Sequence, residues 1–243
     1  AFEACIALPS VTIPSGVTTI EADAFNGCIG LTSVTLPAGL QTIGEAAFAG
    51  CDALTRIELP ASLETIGESA LNAGGLTEIK VQTGNTHFEV MDGVLYNKGK
   101  TTLLCYPRKK PGTTFTVPAS VTTIGKYAFF YCTALTNVTL SDKLTTIEER
   151  AFNGCSQLKN VTIPNSVTSI GKNAFASCSA LKNVNVFWDT PLTISADAFS
   201  GIELNKVKLY VPAGKKGAYQ AANVWGGFDV QEIPEGTLST GLH

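Results

Sequence analysis

Residues 24–43 read AFNGCIGLTSVTLPAGLQTI, and the first five letters return unchanged at residues 151–155. Weaker copies stand around both: AFEAC at 1–5, AFAGC at 47–51, AFFYC at 128–132 and AFASC at 174–178. The phenylalanines fall at 2, 25 and 48, then at 129, 152 and 175, so the step within each group is 23 residues. Leu71 takes the next place after Phe48. A fixed period of this length is the signature of stacked repeats. The 127 positions between the two identical copies hold five periods and an insertion of 12 residues.

The copies align on the frame A-F-x-x-C-x-x-L-x-x-V-x-L-P-x-x-L-x-x-I. The V-x-L part alternates apolar and polar, which is a strand signal. It recurs at Val11/Ile13, Val34/Leu36, Ile57/Leu59, Ile79/Val81, Val138/Leu140, Val161/Ile163, Val184/Val186 and Val207/Leu209. Pro14, Pro37, Pro60 and Pro164 follow four of these pairs, and proline suits the end of a strand because it removes a ladder donor. A second apolar pair follows, as in Leu40/Ile43, and Gly44, Gly67, Gly125 and Gly171 then mark a turn. The A-F-x-x-C segment is too short for a full helix and reads as a single helical or 3₁₀ turn with Ala and Phe inward. No unit buries its apolar set alone, but stacked units share a core, with equivalent strands about 4.8 Å apart in a parallel ladder.

Composition agrees with a folded array. Of 243 residues, 44% are hydrophobic and 15% charged, well below the usual charged share of about 25%. Plentiful, regularly placed apolar residues exclude a disordered chain. No apolar run reaches the roughly 20 residues that span a bilayer. Net charge is −3, but residues 1–79 hold nine acidic residues and one basic, Arg56, whereas residues 80–243 hold sixteen basic and eleven acidic. Solvated surface drift explains this asymmetry; steering of a partner is the sharper alternative. No compact Lys/Arg cluster interleaves with aromatics, so a nucleic-acid partner is not expected. The chain starts inside a repeat, at Ala1-Phe2, so a longer parent protein is expected and the absence of a leader pattern says nothing about the whole.

Two segments break the period. FEVMDGVLYN followed by KGK and TTLLCYP gives a β-hairpin with Lys98-Gly99-Lys100 at its tip, and Arg108, Lys109, Lys110 and Pro111 follow as a basic loop. It reads either as an elongated repeat within the stack or as a protruding partner loop using Phe88, Tyr96, Tyr106 and the basic run. Near the other end, AYQAA at 218–222 favours helix, and Trp225 and Phe228 can cover the last unit's exposed core as a cap. The expected organisation is a single domain over 1–243: repeats at 1–82, an elongated repeat with the hairpin at 83–117, repeats at 118–208, a cap at 209–233 and a flexible end at 234–243.

Cys5, Cys28, Cys51, Cys132, Cys155 and Cys178 share one repeat position, and Cys105 is the exception. The count is odd, and a bridge needs Cβ atoms about 3.8 Å apart, less than the rung spacing, so buried thiols are the preferred reading. Ligands spaced 23 apart with two histidines in the chain, His87 and His243, do not make a zinc motif. A Cys105/His87 dyad lacks a third group to orient it, and Glu148-Glu149 point opposite ways on an extended segment. No GxSxG, P-loop or GxGxxG context occurs. No catalytic, metal or cofactor residue is therefore expected.

The unit resembles the BspA-like leucine-rich repeat of bacterial surface proteins over nearly the whole chain, with AF, Cys and LP recurring together. Residues 88–107 look like the hairpin insertion that interrupts such arrays, and residues 209–228 like the family's terminal segment. The resemblance implies a mainly β or α/β repeat solenoid, a right-handed stack of 23-residue units with its strand ladder on the concave face. It implies a surface or extracellular location and adhesion to host matrix proteins or to another cell. Solenoids bind extended protein partners on that ladder face. Its outward residues are mostly Ser, Thr and Asn, and Arg56/Glu58, Glu78/Lys80 and Lys206/Lys208 depart from them. These six, with Tyr96 and Tyr106, are the candidate partner-binding residues of a monomer. A structural spacer and a carbohydrate-binding module remain as alternatives, the latter expected to depend on Tyr96 or Trp225.

Overall fold

Most V-x-L stretches form strands that pair in parallel with a neighbouring copy, as Val11 with Val34 and Val138 with Val161, in a computed structural model that describes residues 2–233. The chain falls into two compact units, residues 1–111 with 125–132, and residues 112–124 with 133–243. In the first unit, Ser10–Thr12 pairs parallel with Ser33–Thr35, and Arg56–Leu59 with Glu78–Val81. The second unit has a six-stranded parallel ladder: Thr114–Thr116, Asn137–Thr139, Asn160–Ile163, Asn183–Val186, Lys208–Val211 and Asp229–Glu232. A second ladder of two-residue strands runs beside each: Thr19–Ile20, Thr42–Ile43 and Thr65–Ile66 in the first unit, and Thr123–Ile124, Thr146–Ile147 and Ser169–Ile170 in the second. The isoleucine is buried in every pair but Thr65–Ile66, where it is partly buried, and the threonine or serine is the more exposed member, as alternation demands.

The A-F-x-x-C segment is not the helical or 3₁₀ turn expected. Its donors are divided between two destinations. Asp23, Phe25 and Gly27 give their N–H groups to Glu45, Ala47 and Ala49 on the next rung, each at 2.8 Å. Ala24, Asn26 and Cys28 donate three residues back within the turn, to Glu21, Asp23 and Phe25. A helix would use every donor internally, so this division excludes one and adds a third rung-to-rung ladder. The second unit repeats it, with Arg150, Phe152 and Gly154 donating to Lys172, Ala174 and Ala176. The residue before Ala-Phe, or before Ala70-Leu71, is left-handed in six rungs: Asp23, Ala46, Ser69, Tyr127, Arg150 and Asn173 have φ between 51° and 59°. At Gly44, Gly67 and Gly171 the need is space, not turn geometry. A Cβ there would lie 2.4 Å from a backbone nitrogen of the preceding rung.

Two columns fill the core. Phe2, Phe25 and Phe48 stack with near-parallel rings at 5.5 and 5.4 Å, and Phe152, Phe175 and Phe199 do so at 5.2 Å in the second unit. Phe199 is a copy the period misses, because its step is 24 and no cysteine follows it. The cysteines form the other column, and all seven are free thiols. Cys28, Cys51 and Cys178 direct Sγ–H to the carbonyls of Phe2, Phe25 and Phe152 at 2.9, 3.1 and 3.2 Å. The thiol therefore fills space and satisfies a buried carbonyl together.

The insertion has two hairpins where one was expected. Phe88–Met91, Val94–Asn97 and Thr102–Cys105 form an antiparallel meander. Its first turn is Asp92-Gly93, both at positive φ (49° and 74°), as a two-residue primed turn requires. The second turn is the expected Lys98-Gly99-Lys100 tip. Glu89 accepts from Gly99 N at 2.6 Å and pairs with Lys100 at 3.0 Å, and this hydrogen bond from Lys100 holds its carboxyl below the usual range. Buried Asn85 pins the start of the meander. Its amide donates to the carbonyls of Pro60 and Leu63, and its Oδ1 accepts from the backbones of His87 and Phe88, all within 3.0 Å.

The cap of the second unit packs the helix Lys216–Ala221 and Trp225 against the last rung. Trp225 is buried, donating Nε1–H to Leu192 O at 2.7 Å, and Tyr219 donates to Trp188 O at 2.9 Å. Trp225 is thus a capping residue and cannot serve the glycan contact considered from sequence. The flexible end expected at 234–243, including His243, lies outside the described residues.

Three outcomes follow. Replacing Asn85 by Ala leaves four backbone groups without their partner, and urea unfolding is expected to show a loss of about 3 kcal/mol. Cys51→Ser keeps a donor to Phe25 O, whereas Cys51→Val keeps the volume and loses the donor; Val is expected to cost more, by about 1 kcal/mol. Burial pushes the thiols of Cys51, Cys105 and Cys178 up to about 12 from 9.0. Their folded values exceed their unfolded ones, so their stabilisation is intact below pH 9 and is lost as pH rises toward 12. Denaturant titrations should show stability flat near neutrality and falling beyond that point, by up to about 1.4 kcal/mol per pH unit for each thiol.

Candidate interaction surface

The strand ladder commits its apolar residues inward and leaves two polar side chains per rung outside. In the first unit the outer row begins with Ser10/Thr12 and Ser33/Thr35, then becomes charged. Register sets Arg56 opposite Glu78 and Glu58 opposite Lys80. Glu78 lies between two cations, 3.7 Å from Arg56 Nε and 3.7 Å from Lys80 Nζ. All three are substantially exposed, so each pair stabilises by less than about 1 kcal/mol. The four candidates come together as expected, but two positive and two negative charges face one another, so the quartet is a neutral, alternating patch.

In the second unit the outer row is amide-rich. Asn160 donates Nδ2–H to Asn137 Oδ1 at 3.1 Å, and Asn183 donates to Asn160 Oδ1 at 2.7 Å. Asn185 donates to Thr162 Oγ1 at 3.0 Å. Such a ladder forms because equivalent side chains lie one rung apart. The next rung departs from the 23-residue expectation. Leu209, not Val207, pairs with Val184, so Lys208 stands opposite Asn183 and Tyr210 opposite Asn185. Lys206 lies off the ladder in the 3₁₀ turn Leu204–Lys206, where it pairs with Glu203. Its expected place on the binding face is corrected, because two extra residues form that turn before the strand resumes. A further strand, Asp229–Glu232, sets Asp229 beside Lys208 and Gln231 beside Tyr210. Sequence reading missed Tyr210, Asp229 and Gln231, although the alternation in DVQE was available to find them.

Tyr96 and Tyr106 are also corrected. Tyr96 is 0% exposed and Tyr106 is 3% exposed, so neither can meet a partner. Tyr106 takes the phenylalanine place of its rung. It stacks on Phe129 at 5.1 Å and donates its N–H to Ala128 O, and Cys132 Sγ lies 3.7 Å from its carbonyl. Tyr96 sits in the central strand of the meander, and burial pushes its hydroxyl well above the usual phenol range. The basic loop that follows does reach the surface. Lys110 pairs with Asp92 at 2.9 Å, Lys109 is exposed, and Arg108 lies over the Tyr131 ring, 5.3 Å from its centroid.

The nucleophile and base weighed from sequence stay apart. Cys105 directs its thiol toward Leu71 O at 3.8 Å, and His87 Nδ1 meets Thr86 Oγ1 at 3.1 Å, so the two do not form a dyad. Among the described residues no group of three or more His, Cys, Asp and Glu is placed to hold a metal ion, and no helix is long and apolar enough to cross a membrane.

Comparison with known proteins agrees with this geometry. A leucine-rich cell surface protein from Faecalibacterium prausnitzii superposes with a TM-score of 0.77 at 29% identity, over 96% of this chain and 61% of that one. A leucine-rich repeat protein from Eubacterium ventriosum gives 0.58 at 28% identity, over 84% of this chain and 66% of that one. The pneumococcal vaccine antigen PcpA gives 0.69 at 24% identity, a likeness of fold, over 93% of this chain and 68% of that one. The chain thus spans roughly two thirds of each relative's length. No curated protein sequence matches it. The family model described as "BspA type Leucine rich repeat region (6 copies)" matches residues 1–100 and 105–216. With that match over most of its length, and with rungs that stack as the repeat requires, the chain belongs to the BspA-type leucine-rich repeat family.

Proposed function

We propose that the chain is a non-enzymatic protein-binding module carried on a bacterial cell surface, and that a ladder face receives the partner. The observation that carries this reading is the outer row of the second unit. There the asparagine ladder ends in Lys208, Tyr210, Asp229 and Gln231, a compact group of one cation, one anion, one aromatic ring and one amide in adjacent register. A buried tyrosine or arginine flanked by polar groups is the usual energetic centre of a protein interface. The surface character of a relative from the same fold supports the location, and adhesion to host matrix or to another cell is the corresponding role. In the first unit, Arg56, Glu58, Glu78 and Lys80 offer a second contact patch that is self-neutral, suited to register and specificity more than to long-range attraction.

A screen of the purified chain against immobilised extracellular-matrix proteins, at low and high salt, tests the reading. A saturable hit is expected. Lys208→Glu should weaken it about tenfold, and Lys206→Glu, off the ladder, should leave it within about twofold. Equal loss at both positions would show that net charge, not the ladder, drives binding. Absence of any hit would favour a spacer that holds other parts of a longer protein away from the envelope.

A further inference from the structure

One rung of the first unit breaks the turn pattern on its outer side. The place before the cysteine is Ala4, Gly27 and Gly50 elsewhere in this unit, and Gly154 and Ser177 in the other, but here it is Tyr131. Phe130 replaces Asn26, and Tyr127 replaces Asp23. Tyr127 and Tyr131 hold φ of 57° and 54°. Left-handed, non-glycine residues are the rule at the place of Tyr127, but the place of Tyr131 is glycine in the rungs of Gly27, Gly50 and Gly154, and a tyrosine there costs about 1 kcal/mol relative to glycine. The three rings pack edge to face, Tyr127 on Phe130 at 5.3 Å and Phe130 on Tyr131 at 4.6 Å. Tyr131 remains 44% exposed. Because Tyr106 occupies the phenylalanine place of the neighbouring rung, Arg108 falls beside Tyr131 and lays its guanidinium on that ring.

The surroundings are cationic in a unit whose first 79 residues are strongly acidic. Arg108, Lys109 and Lys110 are consecutive in the loop that brings Arg108 to Tyr131, and Lys126 directly precedes Tyr127. Lys126 pairs with Glu68 and Lys110 with Asp92, and Asp52 shares the space above Gly74 with Arg108. Exposed Lys109 remains beyond these pairs. The backbone offers an extended peptide little to pair with. The N–H groups of Tyr106, Ala128, Phe130 and Cys132 are committed to Ala128, Gly125, Tyr127 and Phe129. With these donors committed, the patch offers a ligand its ring faces and the Arg108 guanidinium.

We propose that Tyr127, Phe130, Tyr131 and Arg108 form a binding site for an acidic saccharide. The ring faces take the C–H face of a sugar, and Arg108 with Lys109 takes its carboxylate, which a planar guanidinium matches with two parallel hydrogen bonds. The site stands apart from the ladder face and does not rest on the protein-binding reading.

Isothermal titration of the full chain with three probes decides it: a tetrasaccharide of alternating glucuronate and N-acetylglucosamine, a neutral N-acetylglucosamine tetramer, and a tetraglutamate peptide. Saturable binding of the acidic tetrasaccharide alone is expected. Tyr131→Gly restores the residue of most other rungs, so it should keep or raise the melting temperature while weakening that binding about tenfold, and Arg108→Gln should weaken it similarly. The proposal is overturned if the acidic sugar does not bind, if tetraglutamate or the neutral tetramer binds as well, or if Tyr131→Gly leaves the affinity unchanged.

Discussion

The structure depends on hydrogen bonds that run from rung to rung and not along the chain. Each period has three places where its backbone reaches the next: the V-x-L strand, the two-residue strand after the proline, and the turn around Ala-Phe. At the turn the division is strict, with alternate residues donating forward and back. A rung lacking neighbours would leave its forward donors without a protein partner and its apolar set open to water. Stacking therefore precedes everything else. It fixes the period, forces left-handed backbone at set positions, and demands glycine where two backbones nearly touch.

How legible this was depends on whether a feature repeats. Strand positions, core-facing residues and the cysteine column were readable because one residue type returned at one spacing. The turn was misread because local propensity concerns donors within the segment, and here half of them serve another segment. The thiol's carbonyl partner, 26 residues back in sequence, leaves no local signal. Asp92-Gly93 was readable and overlooked, although an Asp-Gly pair between alternating stretches marks a primed hairpin. The tyrosines of the insertion were misplaced for a different reason. Tyr106 looked like surface aromatic character in a loop, but stacking had assigned it the place of a phenylalanine. Lys206 failed through a register slip of two residues, which no period analysis detects when the strand itself still alternates.

The candidate surface divides along the same line. Where the outer row repeats, it is explained by the ladder: asparagine bonds to asparagine and threonine stands over threonine. Repetition stops at the Arg56/Glu78 and Glu58/Lys80 pairs and at Lys208 and Tyr210, the positions on which the proposed partner contact draws. The paired charges are arranged so that each answers the other, which keeps an otherwise charged strip from repelling itself. The amide row carries a polarity of its own, because each asparagine donates toward the same end. Asn183 supplies the last acceptor, and Lys208 lies on the adjoining rung.

The lateral hydrogen bonds also set how either unit answers to force. Pulling along the stacking direction loads these bonds lengthwise and concentrates the load on the outermost rung. That rung peels before its neighbour carries the tension. Each event releases one period of chain, about 75–80 Å when extended. A stack pulled in this way would yield in steps of about one period each, dissipating work at each step. The period that builds the core thus also sets the length released at each mechanical step.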